Sequence, residues 1–173
     1  MIYLVDANVL ISAARTYYRF EWVPEFWAWL AHHCASGAVK MPIEIFEELK
    51  AGTNDGENDA LYDWVNTPEN KKNILLPSAV DIDLVQHVLD VGYGPNLTDV
   101  DTQKIARDPF LIAHALSAAD LRRVVTLEGK AGSESAPHKR TIPDACDRVG
   151  AISCTPFDML VALNFSTNWK KKF

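Results

Sequence analysis

At 173 residues the chain has the length of one domain, enough to bury roughly 70% of the surface its unfolded form exposes. With 48% hydrophobic and 23% charged residues, 8 Gly and 9 Pro, it lies outside the disordered, fibrous and low-complexity classes. A net charge of −6, from 17 Lys plus Arg against 23 Asp plus Glu, argues against a module that holds nucleic acid by a global positive field, and permits an enzyme whose carboxylates hold cations.

Taken in chain order, Ile2–Val5 reads as a buried strand, and the segment from Asp6 leads into a helix starting near Val9. Pro24 opens a helix carrying Phe26, Leu30 and Cys34 on one stripe. A strand at Val39–Met41 follows, and then Pro42 opens a helix with Ile45, Phe46 and Leu49 inward, stopped by Gly52. Ala60, Leu61, Trp64 and Val65 make another helical stripe, and Ile74–Leu76 reads as a third strand. Asp81 caps a helix carrying Ile82, Val85, Val88 and Leu89 that ends at Gly92, and Pro109 to Ala119 form the last long helix. Val124–Leu127 and Ala151–Cys154 complete about five strands. Strands separated by helices predict an α/β fold, a three-layer domain on a parallel sheet, with its site at the carboxyl ends of the strands.

Cys34, Cys146 and Cys154 are odd in number and lack CxxC spacing, so neither a disulfide framework nor a structural zinc site is expected. His32 and His33 are adjacent, and no HxxxH or HExxH occurs. The longest uncharged apolar run, Phe26 to Ala31, is about a third of a spanning helix, and the N-terminal residues lack the basic and apolar regions of a signal peptide. The expectation is a soluble cytoplasmic protein without membrane contact.

The sheet-edge rule singles out Asp6, which directly follows the first strand. Asp6 and Asn8 also suit capping of the next helix, so position alone leaves two roles open. Glu128 stands just past the strand Val124–Leu127 and puts a second acid at the same edge. On the helix Ile43 to Ala51, the buried stripe places Glu47 and Glu48 each roughly 130° away and Glu44 roughly 170°. The wheel disfavours Glu44 and does not separate the other two. Asp108 precedes Pro109 and reads as an N-cap with proline at N1, which leaves one carboxylate oxygen free for a second role. Asp144, in Thr141-Ile142-Pro143-Asp144, favours the dipole of its own helix.

These segments resemble the PIN-domain ribonucleases, in particular the toxin-type subgroup. Asp6-Ala7-Asn8-Val9-Leu10-Ile11 is similar to the family's D-x-N-h-h-I opening, Phe46-Glu47-Glu48-Leu49 to its second-acid helix, Asp108-Pro109-Phe110-Leu111-Ile112-Ala113 to its D-x-x-I-A segment, and Val125-Thr126-Leu127-Glu128 to its T-x-[DN] strand end. The resemblance spans residues 1–163, leaving 164–173 as a short basic C-terminal tail in which Lys170 to Lys172 fray. It implies Asp6 as the central metal ligand, Glu48 as the second acid and Asp108 as the third. Glu128 or Asp144 would be the fourth catalytic acid, and Asn8 and Thr126 would be polar supports. The departures are Glu where the family has Asp or Asn, and a long insertion from Gly129 to Thr141.

Carboxylates suit Mg²⁺ or Mn²⁺, hard cations that take oxygen ligands and keep open positions. The implied activity is metal-dependent hydrolysis of RNA phosphodiester bonds, with an antitoxin protein as partner and homodimerisation as a further mode of association. RNA approaching an acidic site needs local basic residues. Arg15, Arg19, Lys104, Arg107, and the run His138-Lys139-Arg140 are the candidates. Seven aromatics fall within Tyr17 to Trp29. Phe26, Trp29 and Tyr17 are expected in the core, and at least some of Tyr18, Phe20, Trp22 and Trp27 at the surface, where Trp22 or Trp27 would anchor a partner. A haloacid-dehalogenase-like phosphatase would need an acid where Asn8 stands, and Gly92-x-Gly94 is no dinucleotide fingerprint because it follows a helix. The non-enzymatic alternative is a catalytically silent PIN-like domain that binds RNA or protein.

Overall fold

In the computed structural model, which describes residues 1–53, 59–131 and 139–171, strand and helix alternate as the apolar runs predict. Strand β1 (Ile2–Val5) passes through Asp6 into α1 (Ala7–Ser12), which continues as a π-helical turn at Ala13–Tyr17. Pro24 opens α2 (Pro24–Ala35), followed by β2 (Val39–Lys40) and α3 (Ile43–Thr53). Next come α4 (Ala60–Asn66), α5 (Pro68–Ile74) and α6 (Ile82–His87), the last extended by a second π-helical turn at Val88–Tyr93. Then α7 (Asp99–Ile105) and α8 (Asp108–Leu116) lead into β3 (Arg122–Val125). The chain finishes with α9 (Ile142–Val149), β4 (Ser153–Cys154), α10 (Pro156–Ala162) and a 3₁₀ turn at Trp169–Lys171.

The strands form one parallel sheet in the order β2-β1-β3-β4, with Leu4 opposite Val124, Val5 opposite Val125, Tyr3 opposite Val39 and Val125 opposite Cys154. A parallel sheet needs cover on both faces. Leu4, Val5, Val39, Val124 and Val125 are accordingly sealed from solvent, and the architecture is a three-layer α/β/α domain. Among the described residues the sheet has four strands rather than five. Ile74 closes α5, and only Leu75 pairs, in an isolated bridge to Met41 held by Met41 N–H to Ile74 O (2.8 Å) and Leu76 N–H to Met41 O (2.9 Å). Pro77 has no N–H with which to extend that ladder. Elsewhere α3 runs through Gly52, and α8 stops at Leu116, short of Ala119.

The segment from Leu163 to Trp169 packs against the core. Phe165 meets Tyr18, Phe26 and Trp29 edge-on or tilted at 5.2 to 5.8 Å, the Trp29 indole N–H donates to the Leu163 carbonyl (3.3 Å), and Trp169 is buried against His32. Residues 164–171 therefore do not fray as a tail: the two aromatics anchor them, and Lys170 and Lys171 are exposed beside Trp169. Lys172 and His138 lie outside the described residues. Among the Tyr17–Trp29 aromatics, Phe26 and Trp29 are core, as expected. Trp27 is core as well, 3% exposed, because it stacks on Phe20 (3.9 Å) and donates to the Tyr18 carbonyl (2.7 Å). Tyr17, expected inside, is 51% exposed at the end of its π-helical turn, and Trp22 is 68% exposed under the Arg19 guanidinium. No helix among the described residues is long and apolar enough to cross a membrane.

Candidate functional site

β1 and β3 end side by side, and the Asp6 N–H donates to the Val125 carbonyl (3.0 Å), so whatever follows either strand shares one edge. Asp6 sits there, 3% exposed, at the N-cap of α1, yet its side chain accepts no capping hydrogen bond. Burial, then the charges of Glu48 and Glu128, push its carboxyl up to about 7, while the backbone N–H groups of Ala7 and Asn8 pull the other way. The Asn8 side chain itself is exposed.

Asp108 reaches the same edge from α8. It is the first helical residue rather than the N-cap, which is Arg107, and it caps nothing. The capping expectation is thus corrected by one residue. Its Oδ2 accepts from the Tyr93 hydroxyl (3.2 Å). Burial, then the Asp6 and Glu128 charges, push its carboxyl up to about 8, against the Tyr93 hydrogen bond, with Glu48 adding to the rise. Tyr93 is the site residue that sequence reasoning missed. Burial and the Asp108 charge hold its phenol far in the neutral direction, so it donates.

Helix α3 separates its three acids. Glu47 is exposed and pairs with Lys50 (3.7 Å). Glu48 turns toward Asp6 and Asp108, with an Oε2 that is buried and has no hydrogen-bond partner among the described residues. Burial raises its carboxyl pKa, and the nearby Arg107 opposes the rise. Glu44, which the wheel put farthest from the core, faces the buried His114 of α8 at 3.4 Å, because α3 carries a second packed face toward α8.

The two candidates for a fourth acid differ in their duties. Glu128 contributes to the field at both Asp6 and Asp108, and its Oε2 accepts from the Ile142 N–H (2.7 Å) at the start of α9. Its own N–H donates to Oγ1 of buried Thr126 (3.1 Å), which fixes the turn. Asp144 is taken up by a capping box: its Oδ2 accepts from the Thr141 N–H and hydroxyl (3.1 and 2.8 Å) and from the Ala131 N–H (3.0 Å). The structure brings Asp6, Glu48, Asp108 and Glu128 into one electrostatic group, with Asp144 engaged by Thr141 and Ala131 instead. A recess of about 250 Å³ bordered by Thr126, Glu128, Lys130, Thr155 and Asp158 opens beside the group.

Of the basic candidates, Arg107 stands by Glu48 and donates to the Glu44 carbonyl (2.7 Å), and Arg140 donates to the Tyr93 carbonyl. Arg15 pairs with Asp59 (3.7 Å) and Arg19 with Glu21 (3.8 Å). Lys104 and Lys139 are exposed.

Among the described residues no three His, Cys, Asp or Glu side chains are already gathered as a metal-holding group. The donor set nevertheless suits a hard divalent cation. Its members are all oxygen acids, two are pushed toward neutrality by burial and then by the charges of neighbouring acids, and Glu48 Oε2 is buried without a donor among the described residues.

Fold and site together define an α/β domain with a carboxylate-lined strand edge. The chain belongs to the family described as a domain of unknown function (DUF4411), whose model matches residues 3–167. No curated protein and no solved structure matches it.

Proposed function

We propose that this protein is a Mg²⁺- or Mn²⁺-dependent endoribonuclease of PIN-domain type, a cytoplasmic toxin restrained by an antitoxin protein. The observation that carries the reading is the buried, unpartnered Glu48 Oε2 beside two carboxyls raised to about 7 and 8. Such an arrangement costs free energy unless a cation offsets it. The order of the Asp6, Glu48, Asp108 and Thr126–Glu128 segments, similar to that of PIN nucleases, supports the reaction type and the toxin setting.

In this reading Asp6, Glu48 and Asp108 hold the cation and Glu128 completes the acidic edge. A cation held there would supply positive charge, lowering the pKa of a water so that its hydroxide form could attack a phosphodiester, and offsetting the charge on the leaving 3′ oxygen. Thr126 and the Ile142 N–H hold Glu128 in place. Arg107 offsets the acidic field where the RNA backbone approaches Glu48, and the exposed Lys104 and Lys139 extend the basic path. Incubation of labelled RNA with Mn²⁺ tests the proposal: wild type cleaves and Asp6→Asn does not. Cleavage by Asp6→Asn at the wild-type rate would remove the site assignment, and RNA binding without cleavage by wild type would favour the silent binding domain.

A further inference from the structure

The π-helical turn Val88–Tyr93 is built with more care than a connection between helices requires. Asp81 caps α6 through the Asp83 and Leu84 N–H groups, and the helix has ordinary pitch as far as His87. The change to π pitch then takes in an extra residue and rotates the following side chains, a device common at functional sites. The Gly94 N–H closes the turn on the Leu89 carbonyl (2.9 Å), and Gly94 has φ +111°, a conformation L side chains rarely adopt. Gly92 lies so close to α9 that a Cβ there would meet Ala145 and Val149 at 3.3 to 3.4 Å. Two arginines hold the turn's carbonyls, Arg148 at Val91 (2.8 Å) and Arg140 at Tyr93. The result is a phenol with 0% exposure whose hydroxyl meets Asp108 Oδ2 at 3.2 Å.

A buried phenol needs a partner for its hydroxyl, and that alone would explain the bond. Asp108 has the greater need. Among the described residues the Tyr93 hydroxyl is the hydrogen-bond donor its carboxylate meets. We propose that Tyr93 is a positioning residue for the cation site, fixing Asp108 through Oδ2 so that Oδ1 is presented to Asp6, Glu48 and Glu128. The inference rests on the metal-dependent reading above and deepens it by adding a support for one ligand. Supports of this kind change metal affinity by about 10-fold or more when removed.

Titration calorimetry with Mn²⁺ on wild type and Tyr93→Phe, alongside melting of both in chelator, tests it. The phenylalanine keeps the ring and removes the hydroxyl alone. The expected result is a melting temperature close to that of wild type and an Mn²⁺ affinity about 10-fold weaker. Equal affinity overturns the positioning role while leaving the cation site standing, and so does loss of the folded state, because the hydroxyl would then serve the fold. A wild type that takes up no Mn²⁺ overturns the cation site and this role together.

Discussion

The aromatic cluster around α2 and the carboxylate edge are both dense and both buried, yet they are satisfied in opposite ways. In the first, Tyr18 stacks on Phe26 at 4.4 Å and Phe20 on Trp27 at 3.9 Å, and the two buried indole N–H groups find backbone carbonyls. The stacked rings and the two indole N–H groups gain by burial there. In the second, burial and the charges of neighbouring acids raise Asp6 and Asp108 to about 7 and 8, and Glu48 Oε2 has no donor among the described residues. The ring cluster stabilises the domain, and the acid edge is held in place at the expense of stability. That is the pattern expected where a site is kept for a ligand.

The largest difference between the two regions is expected at Trp27. Trp27 is one of the two positions, with Trp22, that the sequence offers as a partner anchor, yet its burial predicts that Trp27→Ala costs about 3 to 5 kcal/mol in urea unfolding. Trp22→Ala, at an exposed position, should stay within about 0.5 kcal/mol of wild type. Similar losses at both positions would mean that the cluster extends to Trp22. A smaller effect sharpens the acid side. In chelator at pH 8, Glu48→Gln should stabilise the protein by about 1 kcal/mol, since it removes a buried charge from among other acids, and it should abolish Mn²⁺ binding. Glu47→Gln gives up an exposed pair with Lys50, so no more than about 0.5 kcal/mol and no change in Mn²⁺ affinity is expected. Equal Mn²⁺ affinities in the two variants would reverse the assignment on α3.

Much of the fold was legible because the buried strands are continuous apolar runs and Pro24, Asp81 and Pro109 mark helix starts. The strand at Ile74–Leu76 was misread because an apolar triplet at the end of α5 has the same composition as a buried strand. Asp6 and Glu128 could be placed by their position after strands. The helical wheel leaves Glu47 and Glu48 symmetric about the buried stripe, and the resemblance alone singles out Glu48, the one that faces Asp6 and Asp108. Asp144 carried a signal that was available, Thr141 three residues before it, which marks a capping box. Tyr93 carried none: a π-helical turn shifts the register that periodicity relies on, and its partner is 15 residues away.

Thermal melts of wild type and Asp6→Asn at pH 5 and pH 8.5, each in chelator and in Mn²⁺, read out whether the acid edge is kept for a cation. Because the folded-state pKa values of Asp6 and Asp108 lie above their unfolded values, the stability they contribute is complete below about pH 4 and is lost as the pH rises through 7 and 8. For one carboxyl raised from 3.8 to about 7 the loss is on the order of 4 kcal/mol. The account predicts that wild type in chelator melts lower at pH 8.5 than at pH 5, that Mn²⁺ restores it at pH 8.5, and that Asp6→Asn melts higher than wild type in chelator at pH 8.5 and gains nothing from Mn²⁺. A wild type whose melting is indifferent to both pH and Mn²⁺ would contradict it.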